Sequence, residues 1–258
     1  MANEVKWALV TGGSRGLGFE TARALVASGY RVLLVARDPS RLSQACNALN
    51  TEFASRFDGE PAAFFEAIDF EARSNDELIS IKEKIDKVVK NYSEKFGLPE
   101  ILMIAHAVMS AKMSKTLKTD ESEWRRVMSI NLDSVFLLVN RVGSLMADAR
   151  SGRIVIYSAC LGRMSGPGNA GGLAPYRISK SGVNALVRNL AHETGHGSRG
   201  VLVDAICPNH SRTDMGGDDA PRSAAEGAAT AVWLATREFT PGIDKTGLLW
   251  EDNQVVDW

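Results

Sequence analysis

"TGGSRGLG", Thr11 to Gly18, stands between the apolar run 7–10 and a helix-period segment, and it sets Gly12, Gly16 and Gly18 in a G-x-x-x-G-x-G spacing. Missing Cβ atoms permit a tight turn, let a pyrophosphate approach the backbone, and let a helix pack closely on the strand before it. The helix N-terminus that follows offers unpaired N–H donors to an anion. A glycine pattern alone says little, but a strand, this turn and a helix in that order predict a dinucleotide site. Ser14, Arg15 and Leu17 lie between the glycines and belong to it.

Outward from that turn, short β-branched runs alternate with longer helix-period segments. "WALVTG", "RVLLVAR", "AAFFEAID", "EILMIAHA", "GRIVIYSA" and "GVLVDAICP" read as strands, and 16–28, 39–57, 74–96, 122–149 and the segment around Tyr176 read as helices. Strand and helix alternating in this way predict a single-domain Rossmann-type α/β fold, a doubly wound parallel sheet with helices on both faces. The runs are continuously apolar, as expected of strands covered on both sides. No linker or composition break divides the 258 residues, so one domain is expected, with dinucleotide binding in the N-terminal half and catalysis and substrate loops in the C-terminal half. Two polar, glycine-rich stretches, 162–175 and 208–222, follow strands and are the candidate substrate walls.

The end of the second strand selects the dinucleotide. An acidic residue there bonds a ribose 2′-hydroxyl, whereas an arginine pairs with a 2′-phosphate. "LLVARD" puts Arg37 at that end, and Arg15 adds a second cation, so NADP(H) is the better fit; if the strand runs one residue further, Asp38 takes the position instead.

Composition narrows the rest. With 45% hydrophobic and 24% charged residues the chain is an ordinary globular one, and a net charge of -1 gives no reason to expect nucleic acid or an anionic membrane as partner. Cys46, Cys160 and Cys207 are odd in number and widely spaced, which predicts reduced thiols. The start "MANEVKWALV" lacks a signal-type pattern, and no run approaches the roughly 18 apolar residues of a membrane span. A cytoplasmic protein is expected. His192 and His196 share a helical spacing but lack a third ligand, so no metal site is expected, and His210 is either a solvated loop residue or one facing the substrate.

In "APYRISKSG" Tyr176 and Lys180 are four residues apart, on one helix face, where an ammonium near a phenol favours the ionised form. By itself that pair is more often an ordinary surface feature. Together with the early "TGGSRGLG", a mid-chain "INL" holding Asn131 and "IVIYSA" holding Ser158, in that order, the chain resembles the classical short-chain dehydrogenase/reductase family over nearly its whole length. The tail, "RTDMGG" and "TGLLWEDNQVVDW", is similar to cytosolic carbonyl reductases. The resemblance implies reduction of a ketone or aldehyde by NADPH, reversible as an alcohol dehydrogenase. Tyr176 is then the general acid, Lys180 lowers its pKa and holds the nicotinamide ribose, Ser158 bonds the substrate carbonyl, and Asn131 positions a relay water. It also implies Asp69 at the adenine end, Pro208 and Thr213 beside the nicotinamide, and a homo-oligomer, dimer or tetramer, built partly on helix 122–149.

Several positions depart from the family pattern. "IAHA", residues 104–107, stands where "NNAG" is usual, and Asn209 follows Pro208 where glycine is usual; asparagine is well suited to the same backbone. The gap from Ser158 to Tyr176, 176 − 158 = 18 residues, is longer than common, which leaves Ser165 as a competing serine. A non-catalytic NADP(H)-binding regulator of the same fold is the alternative function.

Overall fold

The strands are β1 (Trp7–Thr11), β2 (Arg31–Ala36), β3 (Ala63–Ala67), β4 (Ile101–Ile104), β5 (Gly152–Tyr157), β6 (Val201–Ile206), β7 (Leu249–Glu251) and β8 (Gln254–Val256) in a computed structural model that describes residues 5–110 and 115–258. They form one sheet in the order β3-β2-β1-β4-β5-β6-β7-β8, parallel throughout except for the final β7–β8 pair. The chain leaves β1 in one direction to β2 and β3, then returns to set β4 on the other side of β1, with Ala8 opposite Ile101 and Thr11 opposite Ile104. That reversal opens a crevice at the carboxyl ends of β1 and β4, the place where such sheets bind ligands.

Alternation along the strands divides the core. Leu9, Leu33, Leu102, Ile154 and Val203 face one side, and Val10, Leu34, Met103 and Val155 face the other. Against the first face pack α3 (Asn75–Phe96), α4 (Glu121–Ala149) and α5 (Ala174–Glu193). Against the second pack α1 (Gly16–Ala27), α2 (Pro39–Glu52) and α6 (Ala224–Thr236). Each fully buried leucine of this core is worth roughly 1.5–3 kcal/mol in area removed from water. The edge strand β3 departs from the continuous apolar pattern: it has a single strand neighbour, and Phe65 is 37% exposed.

The sheet and its two helix layers match the fold read from the sequence. The boundaries differ in places: α2 stops at Glu52 instead of running to 57, where the backbone leaves helical geometry at Phe53. Helix α4 is long and apolar enough to cross a membrane by length and composition, but more than half of its most apolar window is buried inside the protein. It carries two stretches of wider turn, Ser129–Asp133 and Val139–Gly143, and the first contains Asn131. Helix α6 and the β7–β8 hairpin lie beyond the elements read from the sequence. Ser223 and Glu226 form a reciprocal cap at the start of α6, and Asp252 and Asn253 turn the hairpin with φ of 52° and 60°.

Candidate active site

A cleft of about 560 Å³ opens at that reversal, bounded by the glycine turn, the ends of β4, β5 and β6, and the first two turns of α5. Gly12 (φ 69°) and Gly16 (φ 55°) take the backbone that side chains resist. Added Cβ atoms would have no room: at Gly12 one would sit 2.9 Å from the His106 amide nitrogen, and at Gly18 one would sit 2.3 Å from the Gly12 carbonyl oxygen. Arg15 enters α1 in extended conformation and supplies no side-chain cap. The first-turn N–H groups therefore face the cleft without a side-chain acceptor from the cap residue, and a diphosphate fits against them.

At the far rim stand Arg15 and Arg37, with the charge of Arg41 close to Arg15. β2 ends at Ala36, and Arg37 lines the cleft as the next residue. Asp38 caps α2, accepting from Ser40 N at 3.0 Å and Arg41 N at 3.1 Å, and its other carboxylate oxygen lies 3.5 Å from Arg41 Nε. Arg15 pairs with Asp214, whose carboxylate is also 3.8 Å from Arg41. Burial, then the neighbouring Arg41 and Arg37 charges, push the Arg15 guanidinium down from its ordinary value, which shows how closely the cations gather. Cations beside a glycine cradle fit the phosphates of a nicotinamide dinucleotide. Ser14, Leu17 and Asp69 line the same end, and Asp69 Oδ1 accepts from Glu71 N at 3.1 Å.

The other end holds Tyr176 and Lys180 on one face of α5, 6% and 2% exposed. Pro175 starts this helix, and Tyr176 N donates to Ser110 Oγ at 3.1 Å, which fixes the first turn. Lys180 Nζ donates to the Tyr157 carbonyl at 2.7 Å and lies 5.9 Å from the centre of the Tyr176 ring. Burial lowers the Lys180 ammonium to about 8. Tyr176 goes the opposite way from the sequence expectation. Burial raises its phenol, with Cys207 and Cys160 adding to the rise. The ammonium is spent on the Tyr157 carbonyl, and desolvation of the phenolate dominates.

Ser158 also lines the cleft, yet its hydroxyl is turned inward, donating to Asn184 Oδ1 at 2.5 Å. The competing Ser165 lies outside the cleft lining and donates to the Trp258 carbonyl at 3.2 Å. Asn131 is wholly buried: Oδ1 accepts from Val108 N at 2.8 Å, and Nδ2 donates to Val108 O at 2.9 Å and Ser179 Oγ at 3.1 Å. It thereby clamps the segment after β4 to α5. Pro208, Asn209 and Thr213 line the cleft beside the glycine turn, where the Thr213 methyl would come 3.1 Å from a Cβ on Gly16. Asn209 adopts φ 56°, the backbone expected of an asparagine in a glycine position. His210 lines the cleft rim with Nε2 2.8 Å from the Gly216 carbonyl. His192 and His196 stack on each other at 5.6 Å, and among the described residues no cluster could hold a metal ion.

Two groups escaped the sequence reading. Asn184 lies one turn after Lys180, and that i+4 spacing was the available signal. For His106 the signal was the departure of residues 104–107 from the family pattern, which did not say what the ring would bond. Its Nδ1 is 2.7 Å from Thr11 Oγ1, its Nε2 is 2.7 Å from Ser134 Oγ, and its ring stacks on Phe70 at 4.3 Å.

A doubly wound sheet with a glycine cradle at its reversal, and a tyrosine and lysine one turn apart below it, defines the class of nicotinamide-dinucleotide oxidoreductases built on this fold. Residues 6–223 match the short chain dehydrogenase family, and the chain belongs to it. It is 31% identical over 208 residues to a 3-oxoacyl-[acyl-carrier-protein] reductase of Synechocystis sp., covering 81% of this chain and 75% of the relative. It is 30% identical over 210 residues to the galactitol 2-dehydrogenase (L-tagatose-forming) of Cereibacter sphaeroides, covering 81% and 72%. Among solved structures, a putative short chain dehydrogenase of Escherichia coli complexed with NADPH shares the fold with TM-score 0.78 at 21% identity, over 95% of both chains.

Proposed function

We propose that this protein is an NADPH-dependent reductase of a ketone or aldehyde, with Tyr176 as the general acid. One observation carries the reading: a single cleft has a glycine cradle flanked by Arg15 and Arg37 at one end and the buried Tyr176–Lys180 pair at the other. The NADPH complexed with a structural neighbour and the carbonyl–alcohol pairs in the names of the relatives agree with it.

Bound there, the nicotinamide supplies hydride to the carbonyl carbon. Gly12, Gly16, Gly18 and the amides of Ser14 and Leu17 would hold the diphosphate, Arg37 and Arg15 the 2′-phosphate, and Asp69 the adenine side, with Pro208 and Thr213 toward the nicotinamide. Tyr176, with its phenol raised by burial, stays protonated across the neutral range and is a donor ready for the oxygen that gains charge. Lys180 carries its charge below about 8 and offsets the phenolate left behind. Ser158 bonds the substrate oxygen by turning its hydroxyl away from Asn184, and Asn131 keeps the segment after β4 in register with α5 while supporting the proton relay to Lys180. We place the protein in the cytoplasm as a homo-oligomer. Half-exposed Phe136 on α4 and Ile178 on α5 support an interface there.

The test is a panel of ketones and aldehydes followed by loss of NADPH absorbance, with NADPH titrated alone beside it. Saturable reduction with NADPH preferred over NADH is expected. Tight NADPH binding with no carbonyl reduced would favour the non-catalytic regulator, a reading to which the inward hydroxyl of Ser158 lends its one observation.

A further inference from the structure

The substrate end of the cleft contains a feature that hydride transfer does not use. Cys160 follows β5 and Cys207 follows β6, neighbouring strands that stay hydrogen-bonded up to Ser158 N donating to Ile206 O at 2.7 Å. Both cysteines line the cleft at the ends of hydrogen-bonded neighbouring strands, both are free thiols, and each is close enough to perturb the other's titration. Cys207 is buried while Cys160 is partly exposed, so a reagent in the cleft reaches Cys160 first. Cys46, the third cysteine, is buried between α2 and β3, with its thiol donating to the Ala63 carbonyl at 3.1 Å.

We infer that Cys160 and Cys207 are a peroxide-reactive thiol pair that closes to a reversible disulfide and switches off the adjacent site. The chemistry needs one nucleophilic and one resolving thiol in contact, and the asymmetry is present. The hydrogen bond from Cys207 pulls the Cys160 thiol well below its ordinary value, and the same contact pushes Cys207 up. Cys160, as thiolate, attacks one oxygen of a hydroperoxide; an S–O bond forms, the O–O bond breaks, and the leaving oxygen takes a proton and departs as alcohol or water. The Cys207 thiol then attacks the sulfenic sulfur; the S–S bond forms, the S–O bond breaks, and the hydroxyl leaves as water with the Cys207 proton. Two thiols are oxidised by two electrons and one peroxide is reduced.

Closure reaches the catalytic turn through packing. The turn Cys160–Gly162 lies directly on α5: a Cβ on Gly162 would be 2.6 Å from Lys180 Cβ and 2.7 Å from the Lys180 carbonyl carbon. Its carbonyl accepts from Ser181 Oγ at 2.8 Å and Asn184 Nδ2 at 3.1 Å. A turn pressed this tightly cannot move toward Cys207 without moving Lys180 and Asn184, and Asn184 holds Ser158. Bond formation is independent of the proposed activity; its effect on turnover rests on that reading.

The full-length protein is treated with hydrogen peroxide, blocked with a maleimide, and read by intact mass and peptide mapping. Turnover of a reduced carbonyl and NADPH affinity are measured before and after, and again after dithiothreitol. The expected result is loss of about two mass units, a Cys160–Cys207 cross-linked peptide, turnover lowered at least about tenfold, and recovery with the dithiol. In Cys207→Ala the same treatment should leave Cys160 as sulfenic or higher acids with no cross-link, and in Cys160→Ala the remaining thiols should resist at matched peroxide. Oxygen addition at Cys160 in the parent without a cross-link overturns the pair, and so does oxidation of Cys46 first. A mapped cross-link with unchanged turnover and NADPH affinity overturns the switch, whereas a protein that reduces no carbonyl even when fully thiol-reduced counts against the proposed activity and leaves the mapped bond to decide the pair.

Discussion

Acid should weaken this fold through His106 in particular. The imidazole is held between Thr11 and Ser134 and stacked on Phe70, and burial, aided by the Lys180 charge, lowers it from 6.5 to about 3. A base whose folded pKa is depressed contributes stability that is complete above its unfolded value. That stability is lost as pH falls toward the folded one, because the unfolded chain takes up a proton the native chain refuses. At 1.36 kcal/mol per unit the full shift is worth about 5 kcal/mol, and since the residue keeps some surface toward the cleft, about half of that is expected in practice. Such a loss is a large share of the roughly 5–15 kcal/mol that holds a domain together. The assay is urea unfolding from about pH 7 to about pH 4 on the parent and on His106→Gln, which keeps a donor and an acceptor but cannot titrate. Paired carboxylates weaken both proteins alike, so the difference between the two curves isolates the histidine. The parent should lose about 2 kcal/mol more than the variant over that range. Parallel curves would refute the reasoning.

Tyr176→Phe should leave NADPH binding within a few fold and cut turnover at least about a hundredfold, since only the proton donor is removed; steady-state kinetics beside a fluorescence titration check both halves. Arg37→Asp should weaken NADPH and turn preference toward NADH, because a carboxylate replaces a phosphate partner while Asp38 remains committed to α2; unchanged preference would shift the phosphate contact to Arg15. NADPH affinity should decline as pH rises through about 8, where Lys180 sheds its proton, and Lys180→Met should flatten that decline and abolish turnover. An affinity equally pH-dependent in the variant would detach Lys180 from the cofactor.

The fold was legible because its signals are local and repeated. The glycine turn, the apolar strands and the helical periods each declare themselves within a few residues, and together they specify a sheet covered on both sides. The C-terminal edge was harder. Strand β7 has three residues and α6 is rich in alanine and glycine, so neither presents a long periodic run, although the Ser223–Glu226 cap was present as a signature. At the site, the sequence named Tyr176, Lys180 and Ser158, which line one cleft, and Asn131, which is buried behind it, but order cannot say where a hydroxyl points or what an ammonium is bonded to. Burial raised the Tyr176 phenol and Asn184 captured Ser158, and both outcomes depend on three-dimensional surroundings that spacing does not encode.

The placement of β4 beside β1 has a kinetic meaning as well. Ala8 and Ile101 are paired across 101 − 8 = 93 residues, and every parallel neighbour in the sheet is likewise joined by a crossover instead of a tight hairpin. Closing such loops costs entropy before any contact repays it, so pairing of this kind makes for slow folding, in the range of milliseconds to seconds or longer. The crevice between β1 and β4 exists only where the two halves of the sheet meet. A ligand gripping both sides of that seam therefore holds the halves together, and its protection against unfolding or proteolysis should extend to the whole chain, with edge strand β3 shielded along with the cleft.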